Sequence, residues 1–268
     1  MTRRFAFLLL VALPVTARAQ SAPVVVDLTY AGYRSGFHVL TAHSEMLIAP
    51  SGYRISLSGN TSGMIGFFYH ADWQSWADGT WSSDSVRPQH FDNDGVFGGH
   101  PRRIDLQYQG GSPVIRTLDP PDDGEHLPVP PAMTRHSIDS LSITALVIRQ
   151  VAMMGHCGGE VTMFDGRSVE NISLRPGGAE YLPATSRSSW AGPTLRCDLD
   201  AHMKAGFFRD GTPQERNYID SMWLASVLPG VPPLPVRSVA HTHHLGELTL
   251  YLTDVKRRDA STVTAKTP

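Results

Sequence analysis

The sequence lacks every short motif that would mark a common class of enzyme. It has no Gly-x-Ser-x-Gly elbow, no His-Glu-x-x-His pair of metal ligands and no glycine loop of the phosphate-binding kind. These absences exclude the motif-defined serine hydrolases, zincins and P-loop enzymes, so we assign no catalytic residue. Catalytic groups can also be assembled from scattered residues, and an envelope hydrolase without a recognised motif therefore stays among the alternatives.

Long apolar runs and an excess of positive charge are missing as well. The 268 residues carry 23 Lys and Arg against 25 Asp and Glu, a net charge of −2. This balance argues against nucleic acids or anionic membranes that are recognised by bulk charge as partners. Beyond residue 15 no apolar stretch approaches the ~20 residues that span a bilayer, so we predict no transmembrane segment.

The N-terminal residues have the pattern of a secretory signal peptide. Arg3 and Arg4 precede an apolar run over residues 5–15, and residues 17–19 (Ala-Arg-Ala) match the small-x-small cleavage pattern. We predict that residues 1–19 are removed, which takes three arginines from the 23 basic residues and leaves 20 against 25 acidic ones. No cysteine lies near the cleavage site, so a lipoprotein anchor is excluded. The expected product is an exported, soluble periplasmic protein.

Only two cysteines, Cys157 and Cys197, are present. In an exported protein a single pair predicts one disulfide, which here closes a loop of about 40 residues and contributes ~4 kcal/mol in the chain-entropy model. A rival interpretation is that Cys157 is a free nucleophile activated by the adjacent His156. Neighbouring residues on a strand point to opposite faces, so His156 is poorly placed as its base and we favour the disulfide.

Alternating apolar and polar residues, separated by glycine and proline turns, fill most of the chain after the signal peptide. This pattern predicts a mainly β protein, of the β-rich α+β class, built on a long curved antiparallel sheet or a partly closed barrel. We expect a single domain over residues 20–255 and a frayed polar tail over 256–268. The Pro-rich residues 119–131 are expected to form an irregular crossing segment, and the acidic residues 122–125 within it a solvated loop.

One stretch, residues 139–154, has helical periodicity. Asp139 is a suitable N-cap, Gly155 can supply the left-handed stop, and an apolar stripe repeats at helical spacing between them. Because few of its residues are polar, the helix is expected to be buried on most sides. We interpret it as a plug enclosed by the curved sheet, with a helix on one face of a sandwich as the alternative.

The aromatic-rich segment 63–81 holds the first candidate binding residues. If it is a strand, Phe67, Tyr69 and Trp73 share one face. We take four of its side chains as candidates for a groove that holds a lipid or another apolar ligand: Phe67, Tyr69, Trp73 and Trp76. Aromatic residues at alternate strand positions also form ordinary core, which is the alternative.

A cluster of histidines near the C-terminus is the second candidate. On a strand His241 and His243 would share a face at i, i+2, a spacing that suits two imidazole ligands of Zn²⁺ or Cu²⁺. A complete site needs further ligands, for which Glu247, His202 and Asp198 are available. A surface hairpin whose histidines bind nothing is the simpler interpretation, so no cofactor is assigned.

The chain also contains a set of motifs made mostly of glycines, turns and cysteines. They are Tyr30-x-x-Tyr33-x-x-Gly36, the segment from Gly63 to Trp73, Val129-Pro130 before the capped helix, Cys157-Gly-Gly with Phe164-Asp165-Gly166-Arg167, Gly192-Pro193 before Cys197, Val236-Arg237 and Leu245-Gly246-Glu247-Leu248. Together, over about residues 26–254, they resemble the exported protein family catalogued as domain of unknown function 3108. The resemblance implies a strand-rich periplasmic protein without an established activity, and it supplies no catalytic residue. The His-rich residues 241–244 depart from the pattern.

These observations lead to one hypothesis and three alternatives. The leading hypothesis is a non-enzymatic periplasmic protein that binds an apolar ligand or an envelope partner in the concavity between sheet and helix. Its reason is that a curved sheet too large to be filled by one helix leaves an apolar cavity. The alternatives are a metal-binding protein that uses His241 and His243, the hydrolase without a motif, and a structural or assembly factor.

Overall fold

The computed structural model describes residues 23–259, so the predicted signal peptide lies outside the described residues. Its strands are β1 (Val24–Arg34), β2 (Phe37–Ile48), β3 (Gly52–Thr61), β4 (Ala71–Ser82), β5 (Ser85–Phe97), β6 (His100–Gln109), β7 (Ser112–Asp119), β8 (Gly159–Phe164), β9 (Val169–Leu182), β10 (Gly192–Ala205), β11 (Asn217–Ala225), β12 (Leu234–Thr242) and β13 (Gly246–Asp259). All thirteen form one antiparallel sheet, in the order β7-β6-β5-β4-β3-β2-β1-β13-β12-β11-β10-β9-β8. The prediction of a mainly β protein with a long antiparallel sheet is confirmed.

The sheet consists of two arms that meet at β1. One arm runs outward from β2 to β7 and the other from β13 back to β8, and β1 pairs with both β2 and β13. Alternation along β1 turns Val26, Leu28 and Tyr30 toward the core. In the described part of the chain β7 and β8 are the free edges of the sheet, so the barrel is not closed.

Helix α2 (Ser140–Met154) has the predicted position and the predicted caps. The Asp139 side chain accepts a hydrogen bond from the Ser142 amide at 2.8 Å, and Gly155 ends the helix with φ of 76°. The helix packs against β3, β4 and β5 of one arm and β8 of the other, and residues such as Ile148 are buried. The interpretation as a plug is confirmed. No helix within residues 23–259 is long and apolar enough to cross a membrane.

The crossing segment leads from the end of β7 to α2 along the seam between the two free edges. It is irregular, as predicted, apart from a short 3-10 turn at Pro131–Thr134. Farther on, the amide of His136 donates to the Ser112 hydroxyl at the start of β7, and Ile138 forms an isolated bridge with Met163 of β8. The segment therefore covers the gap that the open sheet leaves.

The aromatic-rich segment begins as a short helix, α1 (Gly63–Phe68), so its prediction as strand from residue 63 is wrong. Strand β4 starts only at Ala71. The Thr61 hydroxyl closes the connection, because it donates to the Tyr69 carbonyl at 2.9 Å and accepts from the Ala71 amide at 2.8 Å. Periodicity does not separate helix from strand in a short apolar run, which is why the sequence pattern failed here.

Strand β13 continues through Asp259. The predicted start of the frayed tail, at residue 256, is therefore too early. Residues 256–259 stay paired with β1 in register. The Arg258 side chain forms ion pairs with Asp27 of β1 and Glu45 of β2, which holds the end of the strand across two neighbours. Residues 260–268 lie outside the described residues.

Candidate functional site

The concave side of the sheet encloses a cavity of about 580 Å³. Because side chains alternate along a strand, every second residue of β2 faces it, from Leu40 to Met46. At ~3.3 Å per residue these positions extend the wall for about 20 Å. Helix α2 contributes Leu141 and Thr144 at the end where it plugs the sheet. Both arms supply apolar wall residues, among them Ala42, Ile55, Leu57, Met222, Leu248 and Leu250.

The other end of the cavity, which we call the mouth, carries its charged side chains. The charged and imidazole groups come from four elements: Arg102 of β6, Glu125 and His126 of the crossing segment, Asp165 and Arg167 of the β8–β9 turn, and His243 and His244 of the β12–β13 turn. The Phe208 ring lies between two of the imidazoles, with centroid distances of 4.3 Å to His126 and 3.9 Å to His243. The cavity is thus an apolar chamber with a polar mouth.

Asp123 joins several of these elements. Its side chain is 2% exposed, and Oδ2 lies 2.7 Å from Nδ1 of His126, 3.6 Å from Nη1 of Arg102 and 3.5 Å from Nε of Arg167. Oδ1 accepts hydrogen bonds from the amides of Glu125 and His126, at 3.0 and 2.9 Å. Arg102 also donates to the Glu125 carboxylate. We call these five residues the clamp.

The crossing segment is also fastened to the arm of the sheet that contains β8 to β13. The Leu127 amide donates to the Phe207 carbonyl at 2.8 Å, and the Arg209 amide donates to the Glu125 carbonyl at 2.7 Å. On the other side of the mouth, Nε2 of His244 lies 3.3 Å from Oε2 of Glu125. The crossing segment therefore lies across the mouth and links β6 to the loops of the opposite arm.

Hydrogen bonds and charges within the clamp lower the pKa values of both its carboxyl groups. Burial alone would raise the pKa of Asp123, but hydrogen bonds from His126 and from the Glu125 amide outweigh it and hold that pKa well below its usual range. Burial also acts to raise the pKa of Glu125, and the hydrogen bond and charge of Arg102 reverse the direction. For Arg167 burial lowers the guanidinium pKa, although the Asp123 carboxylate acts in the opposite direction.

Of the four aromatic residues predicted to form a groove, the structure brings two to the cavity. Tyr69 and Trp73 line it, and the Tyr69 ring lies 5.0 Å from that of His244 at the mouth. Phe67 instead projects from α1 and is exposed. Trp76 lies three residues after Trp73 on the same strand, so it points to the outer face, where the Arg54 guanidinium lies 4.6 Å from its ring centroid.

The two histidines proposed as metal ligands are held by different partners. Strand β12 ends at Thr242, so His243 lies in the turn, where its ring stacks on Phe208. Nδ1 of His241 lies 3.0 Å from the Asp220 carboxylate. The i, i+2 argument fails because only the first of the two residues belongs to the strand.

The acidic residues 122–125 include two that are ion-paired in the clamp, so their interpretation as a solvated loop is wrong. Asp123, Glu125 and His126 are the one group of three potential metal ligands found within residues 23–259. Arg102 and Arg167 already neutralise the two carboxylates, so this group does not support a cation site. The one local sign of the clamp in the sequence is a histidine three residues after an aspartate.

Cys157 and Cys197 come together as predicted. Their Cα atoms lie 6.0 Å apart and their sulfur atoms are at bonding distance, which ties the segment just before β8 to the middle of β10. Both side chains are buried, and neither is free. This geometry does not support a nucleophilic Cys157.

An open antiparallel sheet rolled around an apolar cavity and plugged by one helix defines a β-barrel-like protein. More particularly, the chain belongs to the family described as protein of unknown function DUF3108, whose sequence model matches residues 26–253. The chain is also similar in fold to the crystal structure of a β-barrel-like protein of domain of unknown function DUF1849 from Brucella abortus. That similarity has a TM-score of 0.51 at 14% identity and covers 90% of this chain and 99% of the other. No curated protein matches the chain.

Proposed function

We propose that this protein is exported to the periplasm and binds an elongated lipid-like ligand in the cavity. The observation that carries the proposal is the distribution of polarity: the wall is mostly apolar for about 20 Å along β2, and the charged groups gather at the mouth. A volume of about 580 Å³ lies within the ~300–1,000 Å³ typical of small-molecule sites. An amphiphile matches this distribution, with its apolar part inside and its polar end at the mouth.

One polar atom in the wall supports a ligand with an oxygen-bearing group. Ser44 faces the cavity, is 5% exposed, and its hydroxyl has no hydrogen-bond partner among the described residues. A buried hydroxyl without a partner costs roughly 1–3 kcal/mol. A ligand with a hydrogen-bond acceptor next to Ser44 would accept from this hydroxyl and so offset part of that cost.

An envelope protein is the second candidate partner, and a specific groove favours it. A groove of about 440 Å³ lies between the free edge strand β7 and the crossing segment, lined by Pro113, Ile115, Leu127 and Val129 among others. Ile115 is 45% exposed. A peptide with apolar side chains could lie in this groove, between the side chains of β7 and those of the crossing segment.

A tryptophan in the cavity wall tests the main proposal. Ala42 is buried and faces the cavity, so Ala42→Trp should fill part of the chamber and weaken ligand binding at least tenfold. The probe is N-phenyl-1-naphthylamine, an apolar dye whose fluorescence rises on transfer from water, titrated into the mature protein. His43→Trp is the matched control, because it places the same side chain one residue along β2 at an exposed position.

The two variants and the wild type give a clear decision. Saturable binding by wild type and His43→Trp, with weak binding by Ala42→Trp, supports the cavity as the ligand site. Lack of saturable binding by the wild type, or equal binding by Ala42→Trp, overturns it. Circular dichroism of all three proteins verifies that the substitutions leave the sheet folded.

A further inference from the structure

Three phenylalanines are unusually exposed for their size. Phe37 is 71% exposed, Phe67 85% and Phe68 78%. Phe67 and Phe68 are neighbours in α1, and their rings meet edge to face with centroids 5.3 Å apart. Scattered exposed apolar residues are ordinary, but a group of them on one surface marks an interaction site.

These residues lie on the same end of the sheet as the mouth. In an antiparallel meander every second connection falls at the same end, and both the β1–β2 turn before Phe37 and the β3–β4 connection that contains α1 do so. The start of α1 packs beside β2, where a Cβ on Gly63 would lie 3.5 Å from the His38 carbonyl oxygen. At 1.5 Å per residue, Phe67 is only about 6 Å along the helix axis from Gly63.

The same chain segment continues directly into the cavity wall. Tyr69, the residue after Phe68, lines the cavity and contacts the His244 ring at the mouth. An apolar path therefore leads from the exposed phenylalanines, past Tyr69, to the interior. We call Phe37, Phe67 and Phe68 the aromatic rim.

Two cations stand beside the aromatic rim. The Arg187 guanidinium donates to the Gly36 carbonyl at 3.3 Å and lies 4.7 Å from the ring centroid of Tyr33. Arg34 is the last residue of β1, before the same turn. Its guanidinium lies next to Gly246, since a Cβ on that glycine would be 3.7 Å from it. Aromatic side chains with flanking arginines are the composition of protein segments that sit in the membrane interface.

We propose that the aromatic rim docks on the surface of a lipid bilayer and places the mouth of the cavity against it. The inference rests on the proposed lipid-like ligand, because a bilayer is then both the surface that covers the rim and the source of the ligand. Burial of the three phenylalanine side chains in the bilayer surface drives the docking. Bulk charge does not, because the chain as a whole is mildly acidic. A ligand could pass between bilayer and cavity along the aromatic rim without crossing water.

The test compares three forms of the mature protein by co-sedimentation with vesicles. One set of vesicles is phosphatidylcholine alone, and the other is phosphatidylethanolamine with phosphatidylglycerol. The triple variant Phe37→Ser, Phe67→Ser, Phe68→Ser should lose at least tenfold in partitioning to both sets. Met153→Ser is the control, since Met153 is 54% exposed and lies on α2, one turn after Arg149 contacts the β4–β5 turn at the opposite end of the sheet.

Titration of each form with N-phenyl-1-naphthylamine in solution separates this proposal from the proposed function. Lost vesicle binding with retained dye binding in the triple variant, and wild-type behaviour of Met153→Ser, supports docking by the aromatic rim. Equal partitioning of the triple variant and wild type, or no partitioning of the wild type, overturns docking even when the dye still binds. Failure of the dye to bind wild type counts against the cavity assignment alone. Thermal denaturation verifies that the triple variant is folded.

Discussion

Replacement of Asp123 by alanine should lower the free energy of unfolding by about 3–5 kcal/mol, the cost of removing one partner from a buried ion pair. The Asp123 side chain is 2% exposed, and the substitution takes this carboxylate from Arg102 and Arg167, whose side chains are 13% and 8% exposed. The ring and amide of His126 and the amide of Glu125 lose their acceptor as well. Chemical denaturation near neutral pH measures the effect.

The pH dependence of the same variant gives a second measurement. Folding lowers the pKa of Asp123, so its carboxylate stabilises the protein fully above the unfolded value of ~3.9 and loses that effect as the pH falls through the folded value. The difference in unfolding free energy between wild type and Asp123→Ala should therefore shrink as the solution is acidified below about pH 4. A difference that grows on acidification would contradict the assignment.

Asp122→Ala is the matched control for the clamp. Its side chain is 73% exposed, and its carboxylate lies 3.7 Å from the Arg209 guanidinium in a surface ion pair, which is worth little. We expect a change within about 0.5 kcal/mol. Should the two alanine variants unfold at the same denaturant concentration, the clamp does not stabilise the fold.

The sequence predicted those features that depend on neighbouring residues. The caps of α2 are set by Asp139 and Gly155 within one turn of each helix end, so short-range chemistry was sufficient. The alternation of apolar residues likewise gave the long strands and their inner face. The pairing of Cys157 with Cys197 followed from the number of cysteines and the predicted export alone, since there are only two cysteines.

The clamp was missed because its partners are far apart in the chain. Asp123 meets Arg102 and Arg167 only after the crossing segment has closed the seam, and neither spacing carries a periodic signal. An acidic run without a local partner is ordinarily solvated, which favoured the wrong interpretation. Trp76 is a different case: the alternation that turns Trp73 inward requires Trp76 to face outward, so the sequence already contained the correct answer.

A second large effect is expected at Asp139, where replacement by alanine should cost about 3–5 kcal/mol at pH 5. The residue is fully buried; its Oδ2 accepts from the hydroxyls of Ser142 and Tyr108 at 2.7 and 3.2 Å, and Oδ1 accepts from the Ser142 amide. Tyr53 extends the network by donating to the Ser142 hydroxyl at 2.6 Å. Alanine removes an N-cap worth ~1 kcal/mol and leaves buried hydroxyls without acceptors at roughly 1–3 kcal/mol each.

The same carboxyl group should make stability depend on pH. Burial raises the pKa of Asp139 to about 6, although hydrogen bonds from Ser142 and Tyr108 act in the opposite direction. Folding thus opposes ionisation, so the group's contribution is greatest below the unfolded value of ~3.9 and declines as the pH rises to about 6. At about 1.4 kcal/mol for each pH unit between the two values, the loss is roughly 3 kcal/mol.

Asp139→Asn separates the cap from the charge. The amide oxygen can still accept from the Ser142 amide, so this variant should lose much less stability than Asp139→Ala at pH 5, and it has no carboxyl group to ionise. Subtracting its unfolding free energy from that of wild type, measured by denaturation from pH 4 to pH 7, removes the titrations that both proteins share. The difference should fall by roughly 3 kcal/mol toward pH 7. A flat difference would mean that folding leaves the pKa of Asp139 unchanged, so that the hydrogen bonds from Ser142 and Tyr108 fully offset the effect of burial.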